Sequence, residues 1–145
     1  MTESGAVTGQ IQEQYRKVNP TSERLALRAR QAVPGGITHD VRNLKPFPVY
    51  VERALGTRKW TVDGGELVDY WMGHGSLFLG HGHPRILEAV RTQLDRGTHY
   101  GACHELEVRW AELVQRMIPS AERVRFTASG TEATHLALRL ARAAA

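Results

Sequence analysis

One stretch near the end of this 145-residue chain limits the folds that the sequence can adopt. Residues 124–127 form a short run with apolar and β-branched side chains, which predicts a buried strand. The run passes through Ser129-Gly130-Thr131 into good helix formers with an apolar face that includes Leu136 and Leu140. Such a strand-to-helix corner is typical of layered α/β folds, in which strands alternate with helices.

The corner at Ser129-Gly130-Thr131 admits two interpretations. The first turn of a helix has unpaired N–H groups and the positive end of the helix dipole, so it favours a phosphate. The hydroxyls of Ser129 and Thr131 would add two hydrogen bonds to such an anion. Alternatively, Ser129 or Thr131 only caps the helix. The local pattern leaves both interpretations open.

Composition excludes several classes of protein. Hydrophobic residues make up 41% of the chain and charged residues 23%, which is typical of a globular domain. No apolar run is long enough for a transmembrane helix, and the N-terminus lacks the pattern of a signal peptide. The single cysteine, Cys103, excludes an internal disulfide and fits a reducing cytoplasm. The net charge of +4 is spread among carboxylates, so we expect no nucleic-acid partner.

The first part of the chain predicts helices. Residues 1–10 are rich in Gly, Ser and Thr and are expected to be disordered. A short helix is predicted over residues 11–18 and a second over residues 24–32, with caps from Thr21-Ser22-Glu23. Pro34-Gly35-Gly36 ends the second helix, and an irregular polar stretch follows.

From residue 48 the pattern changes to β structure. Three β-rich runs, at residues 49–53, 59–62 and 67–71, are separated by turn signals, of which Asp63-Gly64 is the clearest. This pattern predicts a three-stranded antiparallel meander. A glycine-rich segment then leads to Pro84, which starts a helix that Gly97 ends, and a further helix is predicted over residues 104–117.

The order of these motifs resembles the N-terminal third of class III pyridoxal-phosphate (PLP) aminotransferases. The glutamate-1-semialdehyde 2,1-aminomutase branch is the most similar, and the resemblance covers about residues 20–142. It is carried by motifs in the right order and spacing: Pro34-Gly35-Gly36, Val41-Arg42, Val62-Asp63-Gly64, Asp69-Tyr70, Leu79-Gly80-His81-Gly82-His83-Pro84, Glu105-Leu106-Glu107 and residues 125–134.

The resemblance implies the architecture of fold type I, an α/β class with a mostly parallel sheet in its large domain. Residues 1–20 would be a flexible segment and residues 21–97 the N-terminal helix and meander of the small domain. Residues 98–145 would begin the large PLP-binding domain. The resemblance also implies a homodimer that acts on a small-molecule amino donor and acceptor.

The resemblance assigns roles to individual residues. Ser129, Gly130 and Thr131 would receive the phosphate of PLP, which favours the phosphate interpretation of the corner. Arg42 lies where the aminomutase branch has an arginine for the substrate carboxylate, and a guanidinium can bind a carboxylate with two parallel hydrogen bonds.

Two departures from the aminomutase pattern point to a relative that uses another amino donor. His74, between Gly73 and Gly75, replaces a tryptophan, so an imidazole would face the substrate there. Gly101-Ala102-Cys103-His104 replaces a Pro-Thr pair before the Glu-Leu-Glu helix.

The catalytic lysine of the family is missing from these residues. The resemblance places the lysine that forms a Schiff base with PLP well beyond the Ser-Gly-Thr corner, with the aspartate that pairs with the pyridine nitrogen. The last lysine here is Lys59, which precedes the corner. We therefore expect a truncated portion of a larger enzyme, without catalytic residues and inactive alone.

Other functions are weaker predictions. His81-Gly82-His83 with nearby His74 lacks the carboxylate or cysteine that would complete a metal site. Cys103 beside His104 has no identified orienting group for nucleophilic catalysis. A non-catalytic remnant or binding module is the alternative from a different class, because the lysine is absent.

Overall fold

The computed structural model describes residues 3–145, which divide into two compact units with the boundary between Gln93 and Leu94. The first unit contains two helices, a three-stranded sheet and most of a third helix. The second contains two further helices and the segment that joins them. Within residues 3–145, no helix is long and apolar enough to cross a membrane.

The N-terminal helices are longer than the sequence predicts. Helix α1 spans Glu3–Val18 and helix α2 spans Pro20–Ala32. The predicted disorder is therefore wrong for residues 3–10, which form the first turns of α1, while residues 1 and 2 lie outside the described part. The predicted start of the second helix is also too late.

Helix α2 begins early because its N-terminal cap comes from another part of the chain. Asn19 at its N-cap makes no side-chain capping bond. Instead, Asp63 accepts hydrogen bonds from the N–H of Thr21 at 2.6 Å and of Ser22 at 3.1 Å. A carboxylate satisfies the unpaired donors of a first helical turn wherever it comes from in the sequence. Pro20 at the helix start lacks an N–H and needs no partner.

The meander is confirmed. Strands β1 (Val51–Leu55), β2 (Arg58–Thr61) and β3 (Glu66–Val68) pair antiparallel in chain order. Their register aligns Leu55 with Arg58 and Trp60 with Glu66. Asp63-Gly64 lies in the predicted turn between β2 and β3, where Gly64 has a φ of 84°. The third strand ends at Val68, three residues earlier than predicted.

The buried part of the first unit is small and partly polar. Ser22 is fully buried, and its hydroxyl donates to Asp63 at 2.5 Å and accepts from the N–H of Tyr50 at 3.1 Å. Ser22 thus links helix α2 both to the turn after β2 and to the residue before β1. Phe47, 3% exposed, packs against the Tyr15 ring, whose hydroxyl donates to the Phe47 carbonyl at 2.8 Å.

The glycine-rich segment after β3 returns to the meander before helix α3 (Pro84–Leu94) begins. Gly56 and His81 exchange two backbone hydrogen bonds of 2.8 and 2.9 Å. A Cβ on Gly80 would lie 3.1 Å from the backbone of Gly56, and Gly80 has a φ of 85°. Only glycine satisfies both conditions without strain. Gly97 follows the helix with a φ of 103° and bonds back to Leu94, as predicted.

The second unit is built from helices α4 (Glu105–Met117) and α5 (Gly130–Ala144). The prediction of a buried strand before α5 is wrong, because residues 124–127 pair with no strand among the residues described. They are held by another contact: the Phe126 ring stacks on Trp110 of α4, with centroids 3.9 Å apart. A strand is defined by its ladder, and the described chain offers this run no strand partner.

Candidate functional site

The corner before α5 contains the predicted helix cap. Ser129 has an extended backbone, and its hydroxyl accepts from the N–H of Glu132 at 3.2 Å. The Glu132 carboxylate folds back to accept from the N–H of Ala128 at 2.8 Å. These two bonds form a variant of the capping box, in which the return bond goes to the residue before the N-cap, and they fix where the helix starts and how the chain enters it.

The cap leaves anion-binding groups available. Within residues 3–145, the hydrogen bonds at this corner do not use the N–H groups of Gly130 and Thr131 or the Thr131 hydroxyl. A Cβ added to Gly130 would meet nothing within 4 Å, so the chain's own packing leaves the space beside it open. Two free N–H donors, a hydroxyl and open space at a helix N-terminus suit a phosphate. The two interpretations of the corner are therefore compatible.

Arg42 lies at the end of a short 3-10 turn, Asp40–Arg42, in the first unit. The turn is capped by His39, whose Nδ1 accepts from the N–H of Val41 at 3.3 Å. Arg42 Nη1 donates a 3.2 Å hydrogen bond to the Thr38 hydroxyl, and no carboxylate in the described chain forms an ion pair with Arg42. An exposed guanidinium without an ion-pair partner keeps its donors for an external carboxylate.

Arg42 also borders an open cleft of about 460 Å³. The cleft lies between α2, the segment around the 3-10 turn and the start of β1, and its lining is mainly apolar. The lining residues are Ala29, Val33, Gly36, Ile37, Thr38, Arg42, Leu44, Pro48, Val49, Tyr50 and Val51. An apolar cleft with a cation at its edge suits a small molecule that has both a carboxylate and an apolar part.

His74 lies close to the Arg42 turn. Its ring is 5.6 Å from the ring of His39, centroid to centroid, and 5.4 Å from the ring of Trp71. His39 in turn accepts a backbone hydrogen bond of 2.9 Å from Arg42. The structure therefore brings two predicted substrate-binding residues, Arg42 and His74, together through His39. Ser129, Gly130 and Thr131 lie in the second unit.

Sequence reasoning missed one polar cluster in the first unit. Asp69 is 5% exposed, and its Oδ2 lies 2.6 Å from Nε2 of His81. Its Oδ1 lies 3.1 Å from Nζ of Lys59 and accepts from the N–H groups of Trp71 and Met72 at 2.9 and 3.2 Å. Asp69 and His81 occur in separate motifs of the resemblance, but nothing in the sequence indicates that they pair.

The cluster holds the Asp69 carboxyl in its ionised form. The hydrogen bond with His81 is the largest influence and lowers its pKa, burial opposes this, and the Trp71 N–H, Lys59 and the Met72 N–H lower it further. The net result is a pKa of Asp69 well below the ordinary value. A charged carboxylate is a stronger acceptor for backbone N–H groups than a neutral one.

The structure also bears on the other chemical hypotheses. Among the described residues, no three His, Cys, Asp or Glu side chains are grouped to hold a metal ion. Cys103 is exposed, and the adjacent His104 uses Nδ1 to accept from the N–H of Leu106 as the cap of α4. His104 also stacks on Tyr100 at 4.9 Å. Both contacts hold the imidazole in a capping role.

The comparison with protein families identifies the chain. Residues 40–145 match the family Aminotransferase class-III. The chain belongs to this family. This match confirms the family predicted from the motifs. It also includes both the Arg42 turn and the Ser129–Thr131 corner.

Two relatives with high identity are glutamate-1-semialdehyde 2,1-aminomutases. The protein of Methanopyrus kandleri is 46% identical over 129 residues, which are 89% of this chain and 30% of the relative. The protein of Ignicoccus hospitalis is 51% identical over 115 residues, 79% of this chain and 27% of the relative. The chain therefore spans about 30% of the length of these relatives.

Solved structures confirm the fold class. The β-phenylalanine aminotransferase from Variovorax paradoxus superposes with a TM-score of 0.86 at 30% identity, over 90% of this chain and 30% of that protein. A transaminase with PLP bound gives a TM-score of 0.83 at 37% identity, over 87% of this chain and 30% of that protein. The chain has the α/β fold of PLP-dependent fold type I enzymes, and its family uses PLP.

Proposed function

We propose that this chain provides the phosphate-binding and substrate-carboxylate-binding parts of a PLP-dependent aminotransferase. The observation that carries the proposal is the pair of unused N–H groups on Gly130 and Thr131, at a helix start within the family match. In this proposal both N–H groups and the Thr131 hydroxyl donate to the cofactor phosphate. The capping box formed by Ser129 and Glu132 keeps these donors aimed at one point.

Arg42 and His74 form the substrate side of the proposal. Arg42 binds the carboxylate of the amino donor with two parallel hydrogen bonds, and the apolar cleft beside it receives the rest of the molecule. His74 replaces a tryptophan of the aminomutase branch, so we assign it a part in the choice of donor. The relatives act on glutamate-1-semialdehyde and on β-phenylalanine, as their names state, and both substrates carry a carboxylate.

The chain's residues bind and orient, while the cofactor supplies the transfer chemistry. When bound, PLP accepts an amino group from one substrate and passes it to another. Residues 21–97 belong, in this proposal, to the small domain and residues 98–145 to the start of the large domain. A homodimer and a cytoplasmic location remain predictions, the latter supported by the single cysteine.

We also infer that the 145 residues alone are catalytically inactive. All three lysines, Lys17, Lys45 and Lys59, precede the Ser129–Thr131 corner, whereas the resemblance places the lysine that forms the Schiff base well beyond it. Lys59 forms an ion pair with Asp69 at 3.1 Å, and Lys17 pairs with Glu13 at 2.8 Å. Incubation with PLP, glutamate and a 2-oxo acid should give no amino transfer. Measurable transfer by the purified chain would contradict this inference.

The phosphate site can be tested by calorimetry with pyridoxamine 5′-phosphate. This probe lacks an aldehyde, so it cannot attach to surface lysines. Thr131→Val removes a hydroxyl that makes no internal bond among the described residues, and one lost hydrogen bond to an anion should weaken binding about ten-fold. Thr134→Val is the matched control, since its hydroxyl bonds the Gly130 carbonyl at 2.9 Å inside the helix.

The control variant should bind as the unaltered chain does. Pyridoxamine, which lacks the phosphate, should bind none of the three proteins. Equal affinity of all three proteins for pyridoxamine 5′-phosphate would show that Thr131 does not contact the phosphate.

A further inference from the structure

The loop that carries His74 has an unusual backbone. Residues 72–75 have φ values of 45°, 62°, 60° and 83°, in the left-handed region. Gly73 and Gly75 adopt this region freely, but Met72 and His74 do not. Each non-glycine residue held there costs on the order of 1 kcal/mol. Such a conformation persists only where surrounding contacts impose it.

Asp69 provides those contacts at the start of the loop. Its Oδ1 accepts from the N–H groups of Trp71 and Met72, so the carboxylate fixes the peptide just before the first left-handed residue. The loop's own hydrogen bonds follow: the N–H of Gly75 donates to the Trp71 carbonyl and that of Leu77 to the Met72 carbonyl, both at 3.0 Å. Along the chain, the hydrogen bonds to Asp69 are thus the first of the bonds that fix the loop conformation.

Asp69 itself is held from two other elements. Lys59 lies on strand β2, and His81 belongs to the segment that bonds back to Gly56 beside the meander. Lys59, which precedes β3 in the sequence, contacts Oδ1, and His81, which follows the loop, contacts Oδ2. A buried carboxylate with two cationic or donor partners and two backbone donors has a single stable orientation.

The loop in turn determines what faces the Arg42 turn. Trp71 and His74 are in ring contact within the loop, and His74 is in ring contact with His39, the cap of the turn Asp40–Arg42. We propose that Asp69 is a positioning residue, held by Lys59 and His81, that fixes the loop of residues 70–76 and thereby holds His74 against His39 beside Arg42. The importance of this position for substrate choice rests on the proposed function, but the positioning itself does not.

Hydrogen exchange and histidine NMR of the chain test this proposal without cofactor or substrate. In Asp69→Ala we expect the amides of Gly75 and Leu77 to exchange at least about ten-fold faster, the equivalent of about 1.4 kcal/mol. The ring signals of His39 and His74 should shift, since their contact is lost. Asp69→Asn keeps an acceptor for the two N–H groups and should restore most of the protection.

Glu66→Ala is the matched control. Glu66 is a carboxylate on neighbouring strand β3, exposed and paired with Arg58 and Trp60, and its loss should leave both amides and both rings unchanged. Unchanged exchange and unchanged histidine signals in Asp69→Ala would overturn the proposal. So would an Asp69→Asn variant that is as unprotected as Asp69→Ala.

If Asp69→Ala loses its helical circular dichroism, His81→Ala replaces it, because this change keeps the carboxylate and removes its shortest partner. The same two amides should then exchange about three-fold faster, and unchanged exchange would contradict the proposal. The calorimetric phosphate test is independent of these measurements. A failure of phosphate binding therefore overturns the proposed function, whereas a failure of the exchange test overturns only the role of Asp69.

Discussion

The two units differ in how much of their structure is held by internal contacts. In the first unit, buried polar groups join elements that are far apart in sequence: Asp63 with Ser22, and Asp69 with Lys59 and His81. In the second unit, none of residues 94–145 is buried, and the contacts that hold it include two stacked ring pairs, a hydrogen bond from Gln115 to the Glu122 carbonyl and helix caps. The first unit is thus held by contacts between residues distant in sequence, whereas the second is held mainly by contacts between residues close in sequence.

The difference explains where anion-binding groups remain available. In the first unit, the carboxylates of Asp63 and Asp69 accept hydrogen bonds from the nearby backbone N–H groups, at the start of α2 and in the loop after β3. The capping bonds of α5 use only the N–H groups of Ala128 and Glu132. A helix start with a purely local cap keeps two donors for a ligand, and the family's cofactor is a phosphate ester.

The largest expected effect comes from removing the hydrogen bonds between α2 and Asp63 of the meander. Asp63→Ala deletes the cap of α2 and leaves the buried Ser22 hydroxyl without its acceptor, which should lower the free energy of unfolding by about 2 kcal/mol. Urea unfolding followed by circular dichroism measures this. Glu52→Ala, which removes an exposed carboxylate on β1, should change it by less than about 0.5 kcal/mol. Equal effects of the two changes would show that the hydrogen bonds to Asp63 do not stabilise the first unit.

Acid should weaken the first unit for the same reason. Burial alone would raise the pKa of Asp63, but hydrogen bonds from Ser22 and Thr21 outweigh it and lower the pKa. The pKa of Asp69 is lowered further. An ionised carboxyl with a lowered pKa contributes stability that is complete above the unfolded value, about 3.9, and is lost as pH falls below it.

Thermal unfolding between pH 5 and pH 2 tests the predicted loss of stability in acid. The melting temperature of the unaltered chain should fall as the pH is lowered through 4, and Asp69→Asn should show a shallower fall because one of the two carboxyls no longer titrates. A slope unchanged by the substitution would contradict the lowered pKa of Asp69.

In the second unit a smaller effect is expected from the Trp110–Phe126 ring pair. Phe126→Ala removes the stack on Trp110, a contact worth about 1 kcal/mol in folded proteins. The amides of α4 should then exchange about five-fold faster. Met117→Ala, at a side chain of the same helix that is 72% exposed, should leave the exchange nearly unchanged. If both variants exchange alike, the stack does not hold the segment before α5.

The smallest effect concerns the charge in the capping box. Glu132→Gln keeps the acceptor for the Ala128 N–H but removes a negative charge close to the proposed phosphate, so affinity for pyridoxamine 5′-phosphate should rise about three-fold. Glu105→Gln makes the same change in the first turn of α4 and should not alter the affinity. A decrease in affinity for Glu132→Gln would mean that its charge does not oppose the ligand.

The sequence was informative where causes are local. The Asp63-Gly64 turn, the start of α3 at Pro84 and the cap at Ser129 depend on neighbouring residues, and all three are present. The early start of α2 could not be predicted, because its cap lies some forty residues away in Asp63. The Asp69 cluster depends likewise on the packing of three segments. The run at residues 124–127 has strand composition, but pairing also requires a neighbouring strand.

Amide NMR at the corner of α5 tests the central claim most directly. On titration of the chain with pyridoxamine 5′-phosphate, the account predicts that the largest changes in amide chemical shift occur at Gly130 and Thr131. The helix start of α2, whose donors are bound to Asp63, should not respond. Saturable shifts at Gly130 and Thr131 that are absent with pyridoxamine would support the phosphate site. Binding without any change at these two amides would contradict it.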